Sequence, residues 1–172
     1  MTFDWVSIPE SDFIYRGKAD HLTAFRMNRN LVTNAQWNEF LTAPDGYIDD
    51  RWWNGIPVDS DIRVPATGTW TGDTLPRDTV NWHEASAFCR WASFKLGLTI
   101  TLPSERQFER AASGTTGLKY PWGNTFVAGA ANVASTATTP VGSKPTGASA
   151  EGILDLAGNL WEWCSDEVNR QI

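Results

Sequence analysis

The chain has 172 residues, 41% of them hydrophobic and 20% charged, with a net charge of -6. That length supports one domain with its own core, and an acidic balance without any basic run argues against a nucleic-acid or anionic-membrane partner. No apolar stretch approaches the roughly 20 residues of a membrane span.

From the N-terminus, "MTFDWVSIPE" lacks a basic segment followed by an apolar one, so no signal peptide is read and a cytoplasmic location is expected. "WVSIP", "DFIYRG" and "AFRMNRNLV" read as short strands, the last leading into a helix. Three helices then announce themselves by one device. Thr33 with Gln36, Asn81 with Glu84, and Ser104 with Gln107 each form the polar pair of a capping box. Trp37, Phe40 and Leu41 follow at helical spacing in the first helix. In the second, Ala85, Phe88, Cys89, Ala92 and Leu96 form an apolar stripe, and Gly97 and Gly114 supply natural stops.

Between helices the pattern is irregular. Residues 42–80 hold four prolines and four glycines, and residues 113–152 are rich in Gly, Ala, Thr and Pro. Two loop regions this long in one domain need aromatic plugs, a metal ion or both to hold them down. Ten tryptophans fit an aromatic core or a ligand-stacking surface. No internal repeat or linker divides the chain. The two cysteines, Cys89 and Cys164, are too few for a disulfide framework.

Four blocks stand in order: "LVTNAQWNEFL" (31–41), "VNWHEASAFCRWAS" (80–93), "TLPSERQFERAASG" (101–114) with "YPWGN" (120–124), and "GILDLAGNLWEWCSD" (152–166). Together they resemble the formylglycine-generating enzyme, or sulfatase-modifying factor, family. The resemblance implies an α+β fold of the C-type-lectin kind, with two to three helices, short antiparallel strands and long loops. It implies a single domain over 1–172 that lacks the family's C-terminal segment. That segment returns strands to the central sheet, so its absence predicts either a compensating strand from another chain or copy or a reorganised sheet edge.

Enzymes of this family are copper-dependent oxidases holding the metal on two cysteine thiolates downstream of the "GNLWEW" motif, and relatives joined to an iron-binding domain form sulfoxides. Cys89 falls on an apolar stripe and Cys164 directly follows the motif, so neither matches a copper ligand, and copper is not expected. A disulfide between the two is left open. His21 and His83 sit in no metal-ligand spacing; His83, in the first turn of a helix, reads as exposed.

Calcium is the cofactor the resemblance implies, held by the carboxylates of Asp155 and Glu162 and the carbonyls of Gly158 and Leu160. Calcium takes six to eight oxygens, which short loops supply from carboxylates and carbonyls together. The competing reading has Asp155 and Glu162 capping backbone amides or pairing with an arginine. A second family site would use Asn132 and a later Asp, but no Asp lies between Asn132 and Asp155.

Trp122, Trp161 and Trp163 read as core plugs. Trp52, Trp53 and Trp70 form either a stacking platform for a sugar or peptide or anchors for their loop. "GYIDDRWWNGI" (46–56) resembles the binding branches of the family, which include the variable proteins of diversity-generating retroelements. The function expected from these features is a non-catalytic domain binding a protein, small-molecule or carbohydrate ligand. The alternatives are a sulfatase-modifying oxidase or a fragment of one, and a structural subunit of a larger assembly.

Overall fold

Each capping box forms, and each opens a helix. The computed structural model describes residues 1–56 and 63–166. Thr33 caps α1 (Asn34–Thr42), Asn81 caps α2 (Trp82–Leu96) and Ser104 caps α3 (Glu105–Ser113), with both reciprocal hydrogen bonds present in all three. Gly97 ends α2 in the left-handed conformation, donating its N–H to the Ser93 carbonyl.

Four strands precede the helices. β1 (Trp5–Ile8) pairs antiparallel with β4 (Phe25–Asn28), placing Val6 opposite Met27 and Ile8 opposite Phe25. Between them in the chain, β2 (Ser11–Tyr15) and β3 (Lys18–Leu22) form a hairpin closed by Arg16 and Gly17, both at positive φ. β3 is absent from the expected strands because its mostly exposed residues, "KADHL", show no apolar alternation. Each ribbon has two strands, with no third strand on either among the described residues.

The α2 stripe is rotated from the expected one. Glu84, Ala87, Phe88, Trp91 and Ala92 are buried against α1 and the loop after it, whereas Ala85 and Cys89 line a cleft. Helical spacing alone could not choose between these faces, because α2 is apolar on both.

The core is chiefly aromatic. Trp37 stacks on Phe88 with ring centroids 5.3 Å apart, and Phe40 lies between Phe88, Trp91 and Tyr47. A smaller cluster of Val6, Ile8, Ala111 and Ile153 joins the β1–β4 ribbon to α3.

The excursion after α1 is held by this core. Gly46 follows α1 so closely that a Cβ there would lie 2.0 Å from the Phe40 carbonyl oxygen, so the turn admits only glycine. It delivers Tyr47, Trp52, Trp53 and Ile56 into the core. Further along, the Asn34 side-chain amide donates to the carbonyls of Trp70 and Gly72, and Asp78 accepts from the Thr69 N–H and the Thr79 hydroxyl. Aromatic plugs and side-chain-to-backbone bonds thus fix the described parts of this loop; residues 57–62 lie outside the described residues.

Candidate functional site

The segment after Asp155 closes one side of an apolar cleft of about 420 Å³. Trp5, Met27 and Phe25 of the β1–β4 ribbon form one wall, and Phe88 and Cys89 of α2 with Phe108 of α3 form another. Residues 160–163 run along the rim as a strap.

Backbone bonds tie the strap down. Trp163 Nε1 donates to the Val80 carbonyl at 2.8 Å, and Trp82 Nε1 donates to the Cys164 carbonyl at 2.9 Å. Ser165 N–H reaches the Pro103 carbonyl, and Asp166 accepts the Glu105 N–H, adding a second acceptor to the N-terminus of α3. Trp161 is left at full exposure, 102%, and Trp163 at 51%, which corrects their assignment as core plugs. The strap crosses the cleft mouth, so its odd positions face outward. Trp122 is partly buried, stacked on Tyr120 at 5.2 Å.

At the strap's base lies a polar knot. Asp155, at φ 59°, is only 8% exposed; its Oδ2 accepts the Gly142 N–H at 2.7 Å and its Oδ1 the Asn159 amide at 3.4 Å. Burial pushes the Asp155 carboxyl up, and these two donors offset the rise in part. Glu162 has neither a hydrogen bond nor an ion pair among the described residues. Burial, reinforced by the Asp155 charge, pushes its carboxyl up to about 8. Of the expected alternatives, amide capping thus holds for Asp155, and neither carboxylate pairs with an arginine among the described residues. The Gly158 carbonyl accepts the Leu160 N–H at 2.9 Å. Asn132 is occupied within the loops, donating to Ala137 O and Asn159 Oδ1.

The remaining candidates disperse. Trp52 and Trp53 are 7% and 4% exposed, with their indole N–H groups bonded to the Asp45 and Tyr47 carbonyls, so they anchor the loop and present no stacking face. Their burial depends on α2 and on Arg51, which lies over the Trp52 ring, and no local pattern announces it. Trp70 is partly buried, its carbonyl bonded to Asn34.

Cys89 and Cys164 are both free thiols. Burial pushes Cys89 up to about 12; burial and the charges of Asp166, Glu105 and Glu162 push Cys164 up to about 11. His83 is partly buried, its Nδ1 enclosed without a hydrogen-bond partner, which corrects the expectation of an exposed side chain. His21 is exposed between Asp12 and Glu10. Among the described residues no three His, Cys, Asp or Glu side chains converge on a metal-sized site. What sequence reasoning missed is the cleft itself, whose walls come from many separated stretches of chain.

With this geometry in view, residues 5–171 match the sulfatase-modifying factor enzyme 1-like domain. The chain belongs to this family. Hercynine oxygenase of Mycolicibacterium thermoresistibile is 34% identical over 168 residues, covering 84% of this chain and 36% of the relative. The formylglycine-generating enzyme of Streptomyces coelicolor is 34% identical over 192 residues, covering 84% of this chain and 58% of the relative. Serine/threonine-protein kinase Pkn1 of Chlamydia trachomatis is 43% identical over 154 residues, covering 84% of this chain and 23% of the relative. The chain therefore spans between about a quarter and three-fifths of these relatives' lengths.

In fold, the chain superposes on PvdO from Pseudomonas aeruginosa with a TM-score of 0.71 at 24% identity, covering 94% of this chain and 70% of that one. Three helices with short antiparallel strands are thus the fold of this family's domain. The expectation of a non-catalytic ligand- or protein-binding domain is corrected by these relatives, two of which are named as enzymes, an oxygenase and a formylglycine-generating enzyme. That expectation rested on absent copper cysteines and on a tryptophan platform, and the two tryptophans at its centre are buried.

Proposed function

We propose that this chain is the scaffold and substrate-cleft portion of an oxygen-dependent oxidase of the formylglycine-generating type, one C-type-lectin-like domain over residues 1–172. The observation that carries this reading is the apolar cleft of about 420 Å³, whose lining falls, Phe3 apart, within the family match over residues 5–171. Its ribbon and helix walls exclude water from a bound chain segment, and the strap, pinned through Trp82 and Trp163, defines its mouth. An extended peptide carrying a thiol suits a cleft of this form, because apolar walls take its side chains while the wet rim takes its backbone.

Copper does not fit the residues described. A metal-binding thiol must ionise, and burial raises both Cys89 and Cys164, which disfavours the thiolates that copper takes. No step of the reaction is therefore assigned to this chain's cysteines.

Calcium fits. Among the described residues Glu162 is a partly buried carboxylate near the charge of Asp155 with no ion pair to a cation, and the Leu160 carbonyl accepts no hydrogen bond. Asp155, Glu162 and the Gly158 and Leu160 carbonyls would hold the ion. Bound there, it would neutralise the two carboxylates and fix the strap.

The test is oxygen uptake by the full protein, supplied with copper, with a cysteine-containing peptide and its serine counterpart as control. Uptake that requires the cysteine supports the oxidase reading. Peptide binding without uptake at any thiol concentration overturns it.

A further inference from the structure

The side chain of Asn159 spends its whole hydrogen-bonding capacity on the loops around Asp155. Its Oδ1 accepts the Thr139 N–H at 3.0 Å and the Asn132 side-chain amide at 3.3 Å. Its Nδ2 donates to the Thr139 carbonyl at 3.1 Å and to Asp155 Oδ1 at 3.4 Å. The amide thus pairs with both backbone groups of Thr139, as a neighbouring strand would, and reaches the carboxylate with its remaining proton.

The backbone of Asn159 joins the same knot. Its N–H donates to the Asn132 carbonyl at 3.0 Å, beside the parallel bridge between Asn132 and Gly158. Gly158 approaches so closely that a Cβ there would lie 2.6 Å from the Asn132 oxygen. Asn159 itself sits at φ 67°, in the left-handed region that asparagine tolerates better than most residues. Loops 130–142 and 155–160 are therefore locked together through one residue.

Two consequences follow for Asp155. Its carboxylate is gripped on one side by the Gly142 N–H and on the other by Asn159 Nδ2, so its rotation is fixed. Asn159 cannot be a ligand itself, because both lone pairs of Oδ1 are already taken.

We propose that Asn159 is the positioning residue of the calcium site, setting the Asp155 carboxylate for the ion while making no contact with it. This inference rests on the calcium reading above. It predicts an effect on ion affinity separable from any effect on the fold, since an outer partner of a ligating carboxylate typically changes affinity about 10–100-fold.

The experiment measures calcium affinity by titration calorimetry on the full chain, well below the melting temperature, together with Tm in chelator and in calcium. Asn159→Gly keeps the left-handed backbone without strain and removes the grip; affinity is expected to fall by about 10–100-fold. Asn159→Asp keeps the acceptor for Thr139 but loses the donor to Asp155 and sets a like charge against it; affinity is again expected to fall. A merely structural asparagine gives the opposite sign for Asn159→Asp, because an added negative charge strengthens cation binding. Unchanged or tighter affinity in that variant, or a lowered Tm in chelator with unchanged affinity in either, overturns the proposal. Absence of calcium binding by the unaltered chain overturns the calcium reading itself, and the inference with it.

Discussion

Trp82 and Trp163 clasp each other's neighbourhoods from opposite sides: each indole N–H donates to the backbone beside the other, Trp82 to Cys164 and Trp163 to Val80. The start of α2 and the strap are thereby stitched twice, and neither stitch holds its geometry as well without the other. Replacing either tryptophan by phenylalanine removes one hydrogen bond and is expected to cost about 0.5–1.5 kcal/mol. The double variant should cost less than the sum, because both bonds close the same gap. Urea unfolding of the two single variants and the double variant measures the coupling, and strict additivity would refute the clasp.

Arg110 is 2% exposed and pairs with Glu151, while its Nε donates to the Ser11 hydroxyl at 2.9 Å. It links α3, β2 and the loop at 151 through one guanidinium. Truncation to alanine strands the Glu151 carboxylate, and a loss of about 3–5 kcal/mol is expected. Arg110→Met combined with Glu151→Leu should recover much of that loss, as no charge is then left buried alone. Denaturant midpoints of the single and double variants decide it.

The Tyr47 phenol donates to Glu84 Oε1 at 2.8 Å in the core, and its pKa is raised, first by burial and then by the Glu84 hydrogen bond and charge. The folded state thus keeps this proton at a pH where the unfolded chain has begun to release it near pH 10. Its stabilisation is complete below that value and declines as pH rises beyond it. Tyr47→Phe should be less stable than the unaltered chain at neutral pH, with the gap narrowing above pH about 10. Paired denaturation curves across that range test the sign; a gap that widens would contradict it.

Cys89, held up to about 12 by burial, should resist alkylation at mildly alkaline pH, where a free cysteine with pKa about 8.5 reacts readily. Cys164, pushed up only to about 11, should label sooner. Mass spectrometry of the native chain after timed iodoacetamide exposure reports the order. Rapid labelling of Cys89 would mean that its thiol is open through the cleft.

Helix caps written within a few residues are legible in the sequence, whereas features decided by distant packing, and the face that α2 buries, are not. Thr33, Asn81 and Ser104 mark their helices because a capping box is written within four residues. β3 was illegible because its strand character comes from pairing across the Arg16–Gly17 turn and not from its own alternation. Trp52 and Trp53 carry no mark of their burial, which is decided by Gly46 turning the chain back over α1. The motif at 155–162 draws attention to Asp155 and Glu162 but says nothing of Gly142 or Thr139, whose approach to Asp155 and Asn159 depends on loop packing. The cleft was wholly illegible for the same reason.

Trp161, standing in solvent at the mouth of the cleft, gives the protein a built-in optical probe. Most other indoles are shielded to some degree, so a soluble quencher such as iodide will extinguish this ring's red-shifted emission first. Any molecule that settles on the rim must dehydrate the ring and shift its emission to the blue. Occupancy can then be followed by intrinsic fluorescence in the unlabelled protein, and Trp161→Phe supplies the blank.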